Sequence, residues 1–131
     1  GPTSRGCFDE YETEIFQALA RWMKWNGRSI TGCTVAPAEF PEPANGLYTY
    51  NPKTNRLYLH LLSWPDHRVV LQNLGGKVRY AQLLETGCEL MMSEHDPTNV
   101  HGRKIQPGEL LLQLPIEAPK TEVPVIELFL K

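Results

Sequence analysis

The sequence of 131 residues has room for one domain of ordinary size. Hydrophobic residues make up 41% and charged residues 21%, which is typical of a globular domain rather than a disordered tail. The net charge is −2, and Lys and Arg are spread along the chain, so we expect neither a nucleic-acid partner nor an anionic membrane. The apolar runs are far shorter than the ~20 residues of a membrane span.

The first segment, residues 9–25, is predicted to form an amphipathic helix. Asp9 followed by Glu12 has the spacing of an N-terminal cap, and Asn26-Gly27 is predicted to stop the helix in a left-handed conformation. One face carries apolar side chains at helical spacing. Its members are Ile15, Leu19, Trp22 and Met23, extended by Phe8, Tyr11 and Phe16. So rich a stripe predicts a large packing partner, either the rest of this chain or a neighbouring domain.

After a proline-punctuated connector that ends at Gly46, the hydrophobic period changes from helical to alternating. In residues 56–62, for example, Leu57, Leu59 and Leu61 alternate with polar or amphipathic side chains, so one face is expected on a core. Because no helix separates the strands, we predict a mainly β fold: an antiparallel β-sandwich of about seven to eight strands preceded by one amphipathic α-helix. The predicted strands are 47–51, 56–62, 68–72, 78–84, 89–93, 109–114 and 125–130.

Three cysteines, Cys7, Cys33 and Cys88, are too few and too far apart to predict a disulfide scaffold. There is no C-x-x-C pair that would indicate zinc or redox chemistry. We expect all three to be buried or half-buried apolar side chains.

The loop around His95 and His101 is the first candidate for a polar site, because Glu94 and Asp96 accompany the two histidines. The spacing matches no common zinc pattern, and the segment is predicted to be a solvated loop. Glu10 and Glu14 lie one helical turn apart and are predicted to be solvated acids favoured by the helix dipole.

Trp64 and His67, at a strand end, are candidate sugar contacts, although a tryptophan after an apolar strand is more often a core residue. The sequence contains no G-x-S-x-G motif, phosphate-binding loop or dinucleotide fingerprint. We therefore assign no catalytic, cofactor-binding or metal-binding residue. Residue chemistry alone indicates a binding or structural module.

Three stretches taken together resemble a known family. Residues 1–6 (Gly-Pro-Thr-Ser-Arg-Gly), followed by an acid-led helix, are similar to the Asn-Val-Gly-Pro-Thr-x-x-Gly segment of the α-L-fucosidases of glycoside hydrolase family twenty-nine. Residues 25–34 are similar to the Asn-Gly-Glu-Ala-Ile-Tyr-Gly-Thr junction of that family. Residues 47–60, with the Trp-Pro pair at 64–65, resemble the first hairpin of its C-terminal sandwich. The resemblance covers essentially the whole chain, with Arg28, Ser29 and Thr31 as departures.

This resemblance implies a division of the chain into three parts. Residues 1–27 would be the last loop and helix of a catalytic (β/α) barrel, residues 28–46 a linker, and residues 47–131 the C-terminal β-sandwich. The stripe at Ile15, Leu19, Trp22 and Met23 would then pack on the missing barrel. The absence of an initiator Met agrees with a chain that is the tail of a longer protein.

The family implies a retaining hydrolase that removes terminal α-L-fucose from glycans with two carboxylic groups about 5–5.5 Å apart. In the family both groups lie on earlier parts of the barrel, and no residue here matches them. We therefore expect this chain alone to be inactive, with the sandwich buttressing the barrel of the parent enzyme. The alternative is a free-standing carbohydrate-binding sandwich without catalysis. A free module should bury the helix stripe on its own sandwich, whereas a separated tail should leave it exposed.

Overall fold

The structure is a computed structural model that describes residues 9–94 and 105–131. Helix α1 (Glu10–Asn26) continues into a 3₁₀ turn at Gly27–Ser29 and is followed by the strands. These are β1 (Gly46–Asn51), β2 (Arg56–Leu61), β3 (Arg68–Leu71), β4 (Val78–Leu83), β5 (Met92–Ser93), β6 (Leu110–Gln113) and β7 (Val125–Leu130).

The strands form two antiparallel sheets. The four-stranded sheet has the order β1-β2-β7-β4, and the three-stranded sheet has the order β3-β6-β5. Alternate side chains from both sheets meet in one core. Its members include Leu57, Leu59, Val69, Leu71, Leu110, Leu112, Ile126 and Leu128. The predicted architecture, an antiparallel sandwich preceded by one helix, is therefore confirmed.

Helix α1 begins as predicted and ends differently. The Asp9 carboxylate accepts a hydrogen bond of 2.8 Å from the Glu12 backbone N–H, which caps the helix. The predicted left-handed stop at Asn26-Gly27 is wrong, because Gly27 has φ −61° and continues in the right-handed region. The chain instead tightens into the 3₁₀ turn, and Gly32, with φ +78°, is the glycine in the left-handed conformation. This turn brings residues 28 and 29 onto the sheet.

Both faces of strand β2 are covered. Leu57, Leu59 and Leu61 point into the core as predicted. Tyr58 and His60, on the opposite face, are also buried. The side of the four-stranded sheet that faces away from the core, here called the outer face, is therefore a second packing surface. The end of α1 and the 3₁₀ turn lie on it.

Three smaller expectations need correction. The predicted strand 89–93 is reduced to Met92–Ser93, while Glu89 makes only an isolated bridge to Gln82. Cys33 is half-buried as expected, but Cys88 is exposed because it lies in a turn between strands. Cys7 lies outside the described residues. The helical part of the described chain has neither the length nor the apolarity that a membrane crossing requires.

Candidate functional site

Trp64 and His67 lie in the loop between β2 and β3. The Trp64 side chain is half-buried against the core, and its indole N–H donates to the Pro115 carbonyl oxygen at 3.1 Å. His67 is exposed, has a left-handed backbone conformation with φ +65°, and lies 3.2 Å from the Asp66 carboxylate. The tryptophan therefore behaves largely as a core residue, and a sugar contact at this loop stays a prediction.

The apolar stripe of α1 is for the most part uncovered. Ile15 is 49% exposed, Leu19 54% and Met23 36%, and Tyr11 in the first turns is 71% exposed. We call these four residues the apolar face of α1. Large apolar side chains left in contact with water on one side of a helix mark an interaction surface.

Trp22 differs from its neighbours because it packs on the sandwich of this chain. Its indole N–H donates to the Val123 carbonyl oxygen at 3.1 Å, and its ring stacks on His60 with centroids 6.3 Å apart. It also contacts a small cluster on the outer face formed by Tyr58, Leu84 and Val125. Trp22 thus holds the C-terminal end of α1 on the sheet.

A groove of about 1110 Å³ lies between α1 and the outer face of the four-stranded sheet. The helix forms one wall, the β1–β2 end of the sheet forms the floor, and residues 120–123 form part of the rim. Its apolar lining comprises Tyr11, Ile15, Ala18, Leu19, Trp22, Trp25, Ile30, Leu47, Leu62 and Val123. Neither Trp64 nor His67 lines it.

Glu127, on β7, is a fully buried carboxylate on the outer face of the four-stranded sheet. Arg28, from the 3₁₀ turn, holds it by two hydrogen bonds: Nη2 to Oε1 at 3.0 Å and Nε to Oε2 at 3.2 Å. The Tyr58 hydroxyl donates to Oε2 at 2.9 Å, and the Gln82 amide donates to Oε1 at 2.7 Å. Arg56 adds a contact of 3.4 Å. Both oxygens are therefore satisfied, as a buried charge requires.

The cluster shifts the pKa values of its members. Burial alone would raise the pKa of Glu127, but hydrogen bonds from Arg28, Gln82 and Tyr58 outweigh it and hold this pKa below the ordinary value. Burial, reinforced by the hydrogen bond to Glu127, raises the pKa of Tyr58 to about 12. The carboxylate is therefore ionised at neutral pH, and both of its oxygens accept hydrogen bonds from side chains of this chain.

His60, on β2, is buried between Trp22 and the 3₁₀ turn. Its Nδ1 lies 3.1 Å from the Leu47 carbonyl oxygen, which can only accept, so this nitrogen carries the proton. Its Nε2 lies 3.0 Å from the Ser29 hydroxyl. Burial lowers the pKa of His60, against the opposite effect of the bond to Leu47. The ring is a neutral structural link rather than an available base.

The remaining candidates from the sequence are the two acids of α1 and the loop around His95 and His101. Glu10 and Glu14 are exposed on α1, as expected for solvated acids. In residues 9–94 and 105–131, no three His, Cys, Asp or Glu side chains are placed to hold a metal ion. His95 and His101 lie outside the described residues, as does the segment 1–6.

Sequence reasoning missed the buried polar contacts of the outer face. The available signal was Glu127 itself, a carboxylate within the otherwise apolar strand β7. A charge at such a position needs a partner. Its partner Arg28 lies 99 residues away in the chain, so no local pattern connects the two.

Comparison with known proteins finds similar structures but no similar family model or curated sequence. No protein-family model matches the sequence, and no curated protein matches it. Among solved structures, α-L-fucosidase isoenzyme 1 from Paenibacillus thiaminolyticus matches with a TM-score of 0.83 and 31% identity, over 100% of this chain and 29% of that one. A family-twenty-nine α-L-fucosidase from Bacteroides thetaiotaomicron matches with a TM-score of 0.78 and 24% identity. That match covers 100% of this chain and 27% of the enzyme. The α-fucosidase from Thermotoga maritima matches with a TM-score of 0.71 and 18% identity. That match covers 98% of this chain and 29% of the enzyme.

The chain thus spans less than a third of the length of these enzymes. The chain is a β-sandwich with a leading helix, and it is similar to one portion of these α-L-fucosidases. The resemblance to the α-L-fucosidases of family twenty-nine, made from the sequence, is confirmed.

Removing the Glu127 carboxylate tests its structural role. Glu127→Ala leaves Arg28, Tyr58 and Gln82 without their shared acceptor. The Arg28 side chain is 56% exposed and can be hydrated, so the cost comes mainly from the donors of Tyr58 and Gln82 left unsatisfied, about 1–3 kcal/mol. Glu122→Ala, at an exposed position nearby, should change the free energy of unfolding by no more than about 0.5 kcal/mol. Urea denaturation of both variants measures the difference. Equal midpoints for Glu127→Ala and the parent chain would contradict this role.

Acidification should destabilise the chain in two steps. The folded state lowers the pKa of His60, so the unfolded chain takes up a proton first, and stability falls as the pH drops below about 6.5. The folded state also lowers the pKa of Glu127, so its contribution is complete above about pH 4.3 and is lost as the pH falls further. Thermal unfolding across this range measures both steps. His60→Gln should remove the first step, and an unchanged decline in that variant would refute the assignment.

Proposed function

We propose that this chain is the C-terminal part of a retaining α-L-fucosidase, an enzyme that hydrolyses terminal α-L-fucose from glycans. The chain supplies the sandwich that buttresses a catalytic barrel and a helix that packs on that barrel. The single observation that carries the proposal is the uncovered apolar face of α1 in a chain that matches only 29% of a similar fucosidase.

The exposure of α1 supports this reading over a free-standing module. A self-sufficient sugar-binding sandwich would gain stability by folding the helix stripe onto itself. Burial of a Leu or Ile side chain that is now half exposed contributes on the order of 1 kcal/mol. Ile15 and Leu19 do not make that contribution in this chain, because about half of each side chain is exposed. A barrel that covers them in the complete enzyme accounts for the arrangement.

The division of the chain follows from the same proposal. Residues 1–27 form the end of the barrel, residues 28–46 connect the two parts, and residues 47–131 form the sandwich. Within the connector, Phe40 is buried in the sandwich core and Thr34 pairs with Tyr50. These contacts make the connector a tightly packed joint that fixes the barrel relative to the sandwich.

The chemistry belongs to carboxylic groups outside this chain. The resemblance places the two carboxylic groups of the retaining mechanism on the barrel, and no residue of this chain matches them. Glu127 is engaged by Arg28, Tyr58 and Gln82 and does not face a substrate. The glycan is therefore a partner of the parent enzyme, and Trp64 and His67 remain the predicted sugar contacts on the sandwich.

A chimaeric enzyme tests this proposal. This chain replaces the matching segment of the P. thiaminolyticus enzyme, and hydrolysis of nitrophenyl α-L-fucoside is measured for the chimaera and for the isolated chain. We expect activity in the chimaera and none in the isolated chain. Leu19→Glu should lower the yield of active chimaera at least about tenfold, because it places a charge in the barrel contact. Gln17→Glu, at an exposed position on the same helix, is the matched control.

Either of two results would contradict the proposal. The first is fucoside hydrolysis by the purified isolated chain. The second is a chimaera that is folded and monodisperse yet inactive.

A further inference from the structure

We infer that the groove between α1 and the outer face receives an amphipathic α-helix with basic side chains along its margins, supplied by the part of the parent enzyme that lies outside this chain. The inference rests on the proposed function and specifies the contact that the barrel makes. It depends on the lining, size and charge of the groove.

The lining of the groove is apolar on opposite sides. The helix contributes Ile15 and Leu19, both about half exposed. The sheet contributes Leu47, at 49% exposure, and Leu62, at 58%. Side chains from two elements that face each other across an open space suit an occupant with apolar groups on more than one side, as a helix has.

The size of the groove fits a helix. An α-helix with its side chains is 10–12 Å across and rises 5.4 Å per turn, so two turns occupy roughly 1000 Å³. The groove measures about 1110 Å³. An extended strand, which is thinner, would leave part of the lining in water.

The charges around the groove are predominantly acidic. Glu14, Glu42, Glu85 and Glu122 lie in its lining, against Arg21 and Lys120. An occupant with basic margins therefore meets complementary charge, while an acidic one is repelled.

Glu85 marks one point of this contact. Its carboxylate lines the groove and accepts a hydrogen bond of 3.1 Å from the side-chain amide of the fully buried Asn26. We place one cation of the occupant at Glu85.

Two other occupants fit the groove less well. A second copy of the chain in a two-fold dimer would place the same acidic lining against itself. A sugar needs convergent, accessible hydrogen-bonding groups. On the floor both ring nitrogens of His60 are already engaged with Leu47 and Ser29, and the Tyr48 hydroxyl, which has no partner in the described residues, is buried.

The test uses the 131-residue chain and two helical peptides of about 14 residues, roughly four turns, held helical by side-chain cross-links. Both carry leucines at helical spacing, one with Lys and Arg on its margins and the other with Glu. Fluorescence anisotropy of the labelled peptides measures binding. We expect the basic peptide to bind at least about tenfold more tightly, with a preference that shrinks as salt rises.

Variants of the chain locate the contact. Glu85→Gln keeps a hydrogen-bond acceptor for Asn26 but removes the charge, and it should reduce the preference for the basic peptide. Glu89→Gln, exposed and outside the groove, is the matched control and should leave the preference unchanged. Leu47→Asp should abolish the binding of both peptides.

Four results would overturn the inference: equal or absent binding of the two peptides, a preference untouched by Glu85→Gln, self-association of the chain that Leu47→Asp abolishes, or displacement of the peptide by L-fucose. These outcomes are separate from those of the proposed function. If the chimaera hydrolyses fucoside and the peptides do not bind, the groove inference alone fails. If the chimaera is inactive, the proposed function fails whatever the peptides do.

Discussion

The ion pair between the buried Glu127 carboxylate and the half-exposed Arg28 guanidinium is the constraint on which the arrangement of this chain depends. A carboxylate with no exposure to water must be neutralised, and here a guanidinium from the 3₁₀ turn does so with two hydrogen bonds. The turn directly follows α1, so the pair also fixes where the helix leaves the sheet. Tyr58 and Gln82 complete the coordination from the neighbouring strands, which ties the joint to the centre of the four-stranded sheet.

The position of the helix follows from this joint. Trp22 and Asn26 attach the last turns of α1 to the sandwich, while Tyr11 and Ile15 remain in water. The helix is therefore attached at its C-terminal end and leaves its apolar face uncovered. Matching structures are fucosidases more than three times longer than this chain, so a catalytic barrel is the partner that we propose. In this account the sandwich contributes support and orientation, and the barrel contributes chemistry.

Local patterns in the sequence predicted much of the fold. The Asp9 cap and the alternation of Leu57, Leu59 and Leu61 act between near neighbours, so they can be recognised without a structure. The covered outer face could not be predicted in this way. Burial of Glu127 and His60 depends on residues 28 and 29, which folding brings from a distant part of the chain. The apolar face of α1 was predicted from helical spacing, yet only the structure separated Trp22, which packs internally, from Ile15 and Leu19.

The central claim is that a barrel covers the apolar face of α1, and amide hydrogen exchange tests it most directly. Exchange is compared between the isolated chain and the fucosidase chimaera that contains it. We expect the amides around Ile15 and Leu19 to exchange at least about tenfold more slowly in the chimaera, because partner contacts suppress local opening of the helix. Those of β2, already buried in the sandwich, should exchange at similar rates in both proteins. Equal exchange of α1 in the two proteins would contradict the account.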